Sequence, residues 1–290
     1  MLILLGAAPG NVWAQAQVTE SWYYPAGLNH LTKKNVGEPR CDAARLIDLS
    51  KKYGIEVVTK KPIFPVKLTS GVIDGKEADT DQLDAYFPIF ESEWNLYPVS
   101  LVQRSRLKRI VFCRNLSFAG QLRAAIPDFE NDTLYFDVVR GMHAEQYVRK
   151  VVHHEYYHLI DLRDDGLLYE DDRWAQLNPK GFKYGAGGRS AQQDRLASLS
   201  TSHIKGFLNT YSMTGVEEDK AEMFAHMMAE PKAVAARASD DTVIRAKVER
   251  MKELMQVFCP AMDKQFWADL PKVRERALKK HELQMPYAED

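Results

Sequence analysis

The stretch His154-Glu155-Tyr156-Tyr157-His158 constrains this 290-residue chain more than any other feature, because it matches H-E-x-x-H, the pattern of a zinc-dependent hydrolase. On a helix, residues four apart lie on one face, so the imidazoles of His154 and His158 can reach the same ion. Glu155 sits beside the first histidine and is left to receive a proton from a metal-bound water. The residues upstream read as helix, with Val148, Val151 and Val152 at inward spacings. His153 points about 100° away from His154 on such a helix and cannot serve the same ion, so it reads as a core or surface histidine. Five residues can also recur by chance, and a second segment is needed to carry the reading.

A zinc site of catalytic type takes three protein ligands and keeps one position open. The third is expected near Gly215, which ends a loop, where Ala221, Phe224, Ala225 and Met228 recur at helical spacing. Glu218 and Glu222 share one face at the start of this second helix. An acidic first turn also stabilises a helix N-terminus through capping and the macrodipole. That account does not reach Glu222, which shares a stripe with apolar residues, where an unpaired carboxylate is costly. His226, one turn beyond Glu222, either touches the outer part of the site or is structural.

Together the two segments resemble the gluzincin class of zinc metallopeptidases, and most closely the catalytic domain of the anthrax lethal factor type. The likeness rests on H-E-x-x-H, on Glu218-Asp219-Lys220-Ala221-Glu222 as E-x-x-A-E, on Tyr211 ahead of Glu218, and on Asp161 after His158. It covers about residues 145–229. It implies one Zn²⁺ per chain held by His154, His158 and Glu218, with Glu222 as a supporting carboxylate. It also implies an α+β, zincin-like fold: a small mixed sheet, an active-site helix and a helical C-terminal lobe. The lobes are expected at about 37–160 and 191–283 of one catalytic domain spanning 16–290. The interval between His158 and Glu218 exceeds what the resemblance requires, so the extra chain forms part of the cleft wall or an excursion from it.

The chemistry expected of such a site is hydrolysis of peptide bonds. Zinc would polarise the scissile carbonyl and acidify its water, with Glu155 as general base and then general acid. Tyr211 is the candidate donor to the oxyanion, its alternative being a loop tyrosine packed at the helix entry. Asp161, on roughly the face of the two histidines, suits an acceptor for an imidazole N–H, or else is a capping or exposed aspartate. Tyr156 and Tyr157 are expected to pack the flanks of their helix. The substrate expected is a polypeptide or peptide bound extended, as in an endopeptidase. An exopeptidase would need a charge to hold a terminus, for which the loop arginines Arg163, Arg173 and Arg189 are available. The alternatives are a catalytically inactive zincin-fold binding protein, or a helical structural protein with chance matches.

Elsewhere the chain excludes more than it specifies. A net charge of −1 and the lack of a long basic tract give no footing for nucleic-acid binding. No segment approaches the about 18 consecutive apolar residues of a membrane span. Residues 1–15 read either as a secretory signal lacking its basic start or as a mature N-terminal strand, which favours a secreted or periplasmic location and leaves a cytoplasmic one open. Cys41, Cys113 and Cys259 are too scattered for a disulfide framework and read as buried thiols. Residues 16–36 read as an extended leader. Helices are expected over Asp42–Tyr53, Asp79–Leu96, Asp241–Phe258 and from about Met262 to Leu278; strands over Ile55–Thr59, Arg109–Cys113 and Thr133–Val138. By analogy with zincin lobes, the segment Leu134–Val138 is expected at the sheet edge beside the site. Glu170–Ser190, rich in Gly, Pro and charge, reads as a long surface loop, either cleft rim or bland insertion.

Overall fold

The computed structural model describes residues 41–185, 187, 201 and 203–284. By packing, the chain divides into Met1–Gly37 and Glu38–Asp290. The first unit, with the signal-like segment and the leader, lies outside the described residues, as do most of 186–202 and the last six positions.

The described chain opens as its caps dictate. The Asp42 side chain accepts from the Arg45 N–H, and Gly54 closes the helix α1 (Ala43–Tyr53) in the left-handed conformation, φ 69°. Strand β1 (Glu56–Val58) follows, then the hairpin β2 (Val66–Leu68) and β3 (Gly71–Glu77). Helix α2 (Thr80–Trp94) begins where the Asp79 N–H donates to Gln82 Oε1 at 3.0 Å, and α3 (Val99–Arg104) follows Pro98. Four strands complete the sheet: β4 (Arg109–Phe118), β5 (Gln121–Leu122), β6 (Ala125–Asp128) and β7 (Thr133–Asp137).

The seven strands are mixed. β4 is central, running parallel to β1 and β7 and antiparallel to β3 and β5, while β6 runs antiparallel to β7. One sheet face packs on an aromatic core in which Phe112 lies 4.9 Å from Phe90 and Phe136 lies 5.2 Å from Phe90. The other face carries a smaller cluster around Ile73, Val111, Leu116 and Tyr135.

The expected edge position of Leu134–Val138 is corrected here. β7 lies inside the sheet, between β4 and β6, and every residue of it is buried. The edge strand beside the site is β6. The Asp137 N–H donates to Ala124 O at 2.8 Å, and the register then pairs Ile126 with Tyr135 and Asp128 with Thr133. By the alternation of an antiparallel ladder, Ala125 and Pro127 turn their backbone groups away from β7. A proline is tolerated there because no ladder hydrogen bond needs its missing N–H.

Helix α4 (Glu145–Asp164) carries H-E-x-x-H and packs along α6 (Val216–Ala229). All fourteen residues of α6 are buried, so its acidic face cannot be a solvated one. Tyr156 and Tyr157 pack the flanks of α4 as expected: Tyr156 lies 4.8 Å from Trp94 and Tyr157 5.0 Å from Phe224. His153 is a core residue, with Nε2 2.8 Å from Glu93 Oε2. Helices α7 (Pro231–Asp240), α8 (Thr242–Phe258, capped by Asp241) and α9 (Lys264–Gln284) complete the helical lobe. The fold is thus α+β, a small mixed sheet with a helical C-terminal lobe in a zincin-like arrangement. The three cysteines are free thiols, Cys113 and Cys259 buried and Cys41 half-buried. Among the described residues, no helix is long and apolar enough to cross a membrane.

Candidate metal centre

Helix α4 turns His154 and His158 to one side, and their Nε2 atoms face each other at 3.1 Å. Helix α6 brings Glu218 Oε2 to 3.1 Å from His154 Nε2 and 3.5 Å from His158 Nε2. One ligand atom from each residue falls within 4.8 Å of the others, and all three residues are buried. The donor set fits a divalent metal. Glu218 Oε2 is buried without a hydrogen-bond partner, a costly state for a carboxylate oxygen unless a cation meets it. Two imidazoles and one carboxylate are the ligands of a zinc site that leaves one position for water.

Charge around the triad is strongly coupled. Burial alone would lower the His154 pKa, but Glu218 and Glu222 outweigh it and raise it well above the usual imidazole value. Glu222 Oε1 lies 2.8 Å from His154 Nδ1, and against its burial this contact holds the Glu222 carboxyl down at about 2. Its other oxygen accepts from Asn209 Nδ2 at 2.6 Å, and Asn209 Oδ1 accepts from the Ser212 N–H at 2.9 Å. His226 Nδ1 is 2.8 Å from the Glu222 carbonyl. The imidazole is therefore oriented from behind by a carboxylate that is itself held, as ligating histidines commonly are.

Asp161, expected as an acceptor for an imidazole N–H or as a capping or exposed aspartate, is buried. Its Oδ1 lies 2.5 Å from Lys220 Nζ, and Lys220 also reaches Asp171 at 3.1 Å. Burial raises the Asp161 carboxyl to about 6. Glu222 is the carboxylate beside His154 Nδ1, and Asp161 ties α4 to α6 through a buried ion pair with Lys220. Asn209 escaped sequence reasoning altogether, since one asparagine in an aperiodic stretch has no local signature.

Glu155 is partly exposed and lines the cleft with the triad. Burial raises its carboxyl above the usual range against the pull of His154 and His158. Tyr211 opens a 3₁₀ turn, Tyr211–Met213, that leads into α6. Its Oη donates to Glu218 Oε1 at 3.0 Å, and its ring lies 5.9 Å from that of His154. Burial, Glu218 and Glu155 push the phenol pKa well up, so the O–H stays protonated at neutral pH.

The cleft measures about 720 Å³ and runs between the β6 edge and the segment after α4. That segment is more than a surface loop. It forms a short helix, α5 (Asp172–Ala175), and buries Trp174 completely. Asp219 Oδ2 accepts from Trp174 Nε1 at 2.8 Å, Tyr184 Oη at 2.6 Å and Lys247 Nζ at 2.7 Å. The Gly185 N–H donates to Met213 O at 3.0 Å. The described part of the chain between α4 and Gly185 is therefore a cleft wall, pinned to the residue after Glu218 and to the turn bearing Tyr211.

Among curated proteins none matches this chain. Among solved structures, the crystal structure of a "putative zinc-binding metallo-peptidase" from Bacteroides caccae aligns over 83% of this chain and 91% of its own, at 16% identity and a TM-score of 0.49. Residues 128–258 match the model of a family described in the same words, "putative zinc-binding metallo-peptidase", and that segment holds both histidines, Glu155, Tyr211, Glu218 and Glu222.

Proposed function

We propose that this chain is a zinc-dependent peptidase that cuts within extended polypeptides. The observation that carries the reading is Glu155. A protein that only holds a metal needs the three ligands, but has no use for a cleft-facing carboxylate of raised pKa beside them. A Zn²⁺ held by His154, His158 and Glu218 would acidify its bound water and polarise the scissile carbonyl. Glu155 takes the proton of the attacking water and returns it to the leaving amine. Tyr211 offers its O–H to the oxyanion. The outward backbone groups of Ala125 and the carbonyl of Pro127 allow an extended substrate to add to β6 as a further strand. Arg163, which could have held a terminal carboxylate in an exopeptidase, is bound to Asp132. The finer likeness to gluzincins of the lethal factor type is supported by E-x-x-A-E lying on α6 with Tyr211 bonded to its first glutamate.

The deciding experiment is mass-spectrometric profiling of a diverse peptide mixture, comparing the zinc-loaded wild type with Glu155→Gln. Internal cuts present only with the wild type are expected. Identical profiles would leave a binding protein, and sequential loss of single terminal residues would reject the open groove. Tyr211→Phe is expected to lower kcat by about two orders of magnitude, the cost of one transition-state donor. A kcat equal to that of the wild type on a good substrate would return Tyr211 to a packing role.

A further inference from the structure

Asn209 is completely buried, just ahead of Tyr211 in a stretch without helical or strand periodicity. A buried amide is costly unless its donors and acceptor are used, and this one uses them in two directions. Its Oδ1 accepts from the Ser212 N–H at 2.9 Å and from Ser212 Oγ at 2.7 Å, which ties down the turn that carries Tyr211. Its Nδ2 donates to Glu222 Oε2 at 2.6 Å, and the other oxygen of that carboxylate lies 2.8 Å from His154 Nδ1. His226 Nδ1 is farther from Glu222 Oε2, at 3.4 Å, and its nearer contact is the Glu222 carbonyl. The stretch leading to Asn209 is itself anchored on α8 and its cap. The Gly206 N–H donates to Asp241 Oδ2 at 2.7 Å, and the Gly206 carbonyl accepts from Lys247 Nζ at 2.7 Å. Gly206 takes φ 84°, and a Cβ there would lie 2.7 Å from Val243 Cγ1, so the anchor requires glycine. One amide thus joins the turn of the oxyanion donor to the back of an imidazole in the triad.

We propose that Asn209 is a positioning residue that sets His154 and Tyr211 against each other, so that zinc affinity and the placement of the phenol depend on the same side chain. The inference rests on the peptidase reading above. The terminal torsion of a glutamate is broad, so a carboxylate alone does not fix the plane it presents to an imidazole. Donation from Asn209 fixes which Glu222 oxygen faces His154 Nδ1, and with it the orientation of the ring. An amide suits this place because it offers an acceptor to the turn and a donor to Glu222 from one rigid plane. A carboxylate of the same shape would keep the acceptor and set two negative charges face to face.

The test reverses the bond as well as breaking it. Asn209→Asp and Glu222→Gln each spoil the pairing, whereas together they let the new amide donate to the new carboxylate while its carbonyl oxygen faces His154. Zinc affinity is read by competition with a chromogenic chelator, and the turn by the fluorine resonance of a fluorotyrosine incorporated in place of Tyr211. Each single variant is expected to weaken zinc binding about 10–100-fold, as for a group behind a ligating histidine. The double variant should bind zinc about tenfold more tightly than either single one, a coupling of the size found within one hydrogen-bond network. Asn209→Ala should lower zinc affinity and split or broaden the resonance, and the double variant should restore a single one. Wild-type zinc affinity in Asn209→Asp, a double variant no better than the worse single one, or a resonance unmoved in Asn209→Ala overturns the proposal. A single variant that fails to fold leaves the double variant to decide, through recovery of fold, zinc and resonance or their continued loss. On a cleaved peptide at saturating zinc, the loss in Asn209→Ala is expected in kcat rather than KM. A wild type that cuts no peptide would sink the peptidase reading, while zinc affinity and the resonance still decide this one; cleavage by a wild type whose zinc site and turn ignore Asn209 would do the reverse.

Discussion

Glu155→Gln is expected to lower kcat by about 10²–10⁴-fold, the range for loss of a positioned general base, while the zinc content stays that of the wild type. The substitution keeps the shape of the side chain and removes only its capacity to take a proton. Glu155 is not one of the three residues whose ligand atoms converge, so metal retention should not follow activity down. Nor should the fold suffer. Burial already disfavours the Glu155 carboxylate, and an amide at the same place carries no charge to desolvate. Metal analysis, thermal unfolding and kcat on a peptide chosen by profiling check the three parts together. A variant that cuts as fast as the wild type would end the case for Glu155 as the base; one that loses zinc would show that its part is structural.

Glu218→Gln should do the opposite and act on the metal first. Its Oε2 faces both imidazoles, and no protein hydrogen bond satisfies it. The amide is a neutral and far weaker ligand, so zinc affinity should fall by more than the about 10–100-fold typical of losing a group one layer behind the ligands. Activity should disappear with the metal. Without metal, the Glu218 carboxyl is held well below its usual range by His154 and His158 against the cost of its burial. The variant also loses that pairing and should unfold at a lower temperature even in chelator. Dialysis against a competing chelator followed by metal analysis reads the result, and full occupancy in Glu218→Gln would remove Glu218 from the ligand set.

Much of what these two experiments rely on is legible along the chain. The i, i+4 spacing of His154 and His158 and the acidic start of the second helix are local patterns, and local patterns survive whatever the rest of the fold does. Glu222 gave a usable hint, because a carboxylate on an apolar stripe must find a partner. That its partner is His154, and that Asp161 goes to Lys220, depends on how far α4 and α6 are rotated against each other. The edge strand was misplaced for a similar reason. β7 and β6 are both short and apolar, and only Pro127 in β6 carries a local clue that its N–H side faces away from the sheet.

The sequence by itself determined the helix bearing H-E-x-x-H, the helix bearing Glu218, and the helix starts near Asp42, Asp79 and Asp241, because each is settled by residues within about one turn of one another. Only the tertiary structure decided which strand borders the cleft, which carboxylate backs His154, and that Trp174 and Tyr184, in the chain after α4, are anchored on Asp219. Those are contacts between segments distant in sequence, and no periodicity within a segment records which other segment it will meet. Register and strand order are fixed when whole hydrophobic faces are buried together, so they exist only once the sheet and the helical lobe have packed.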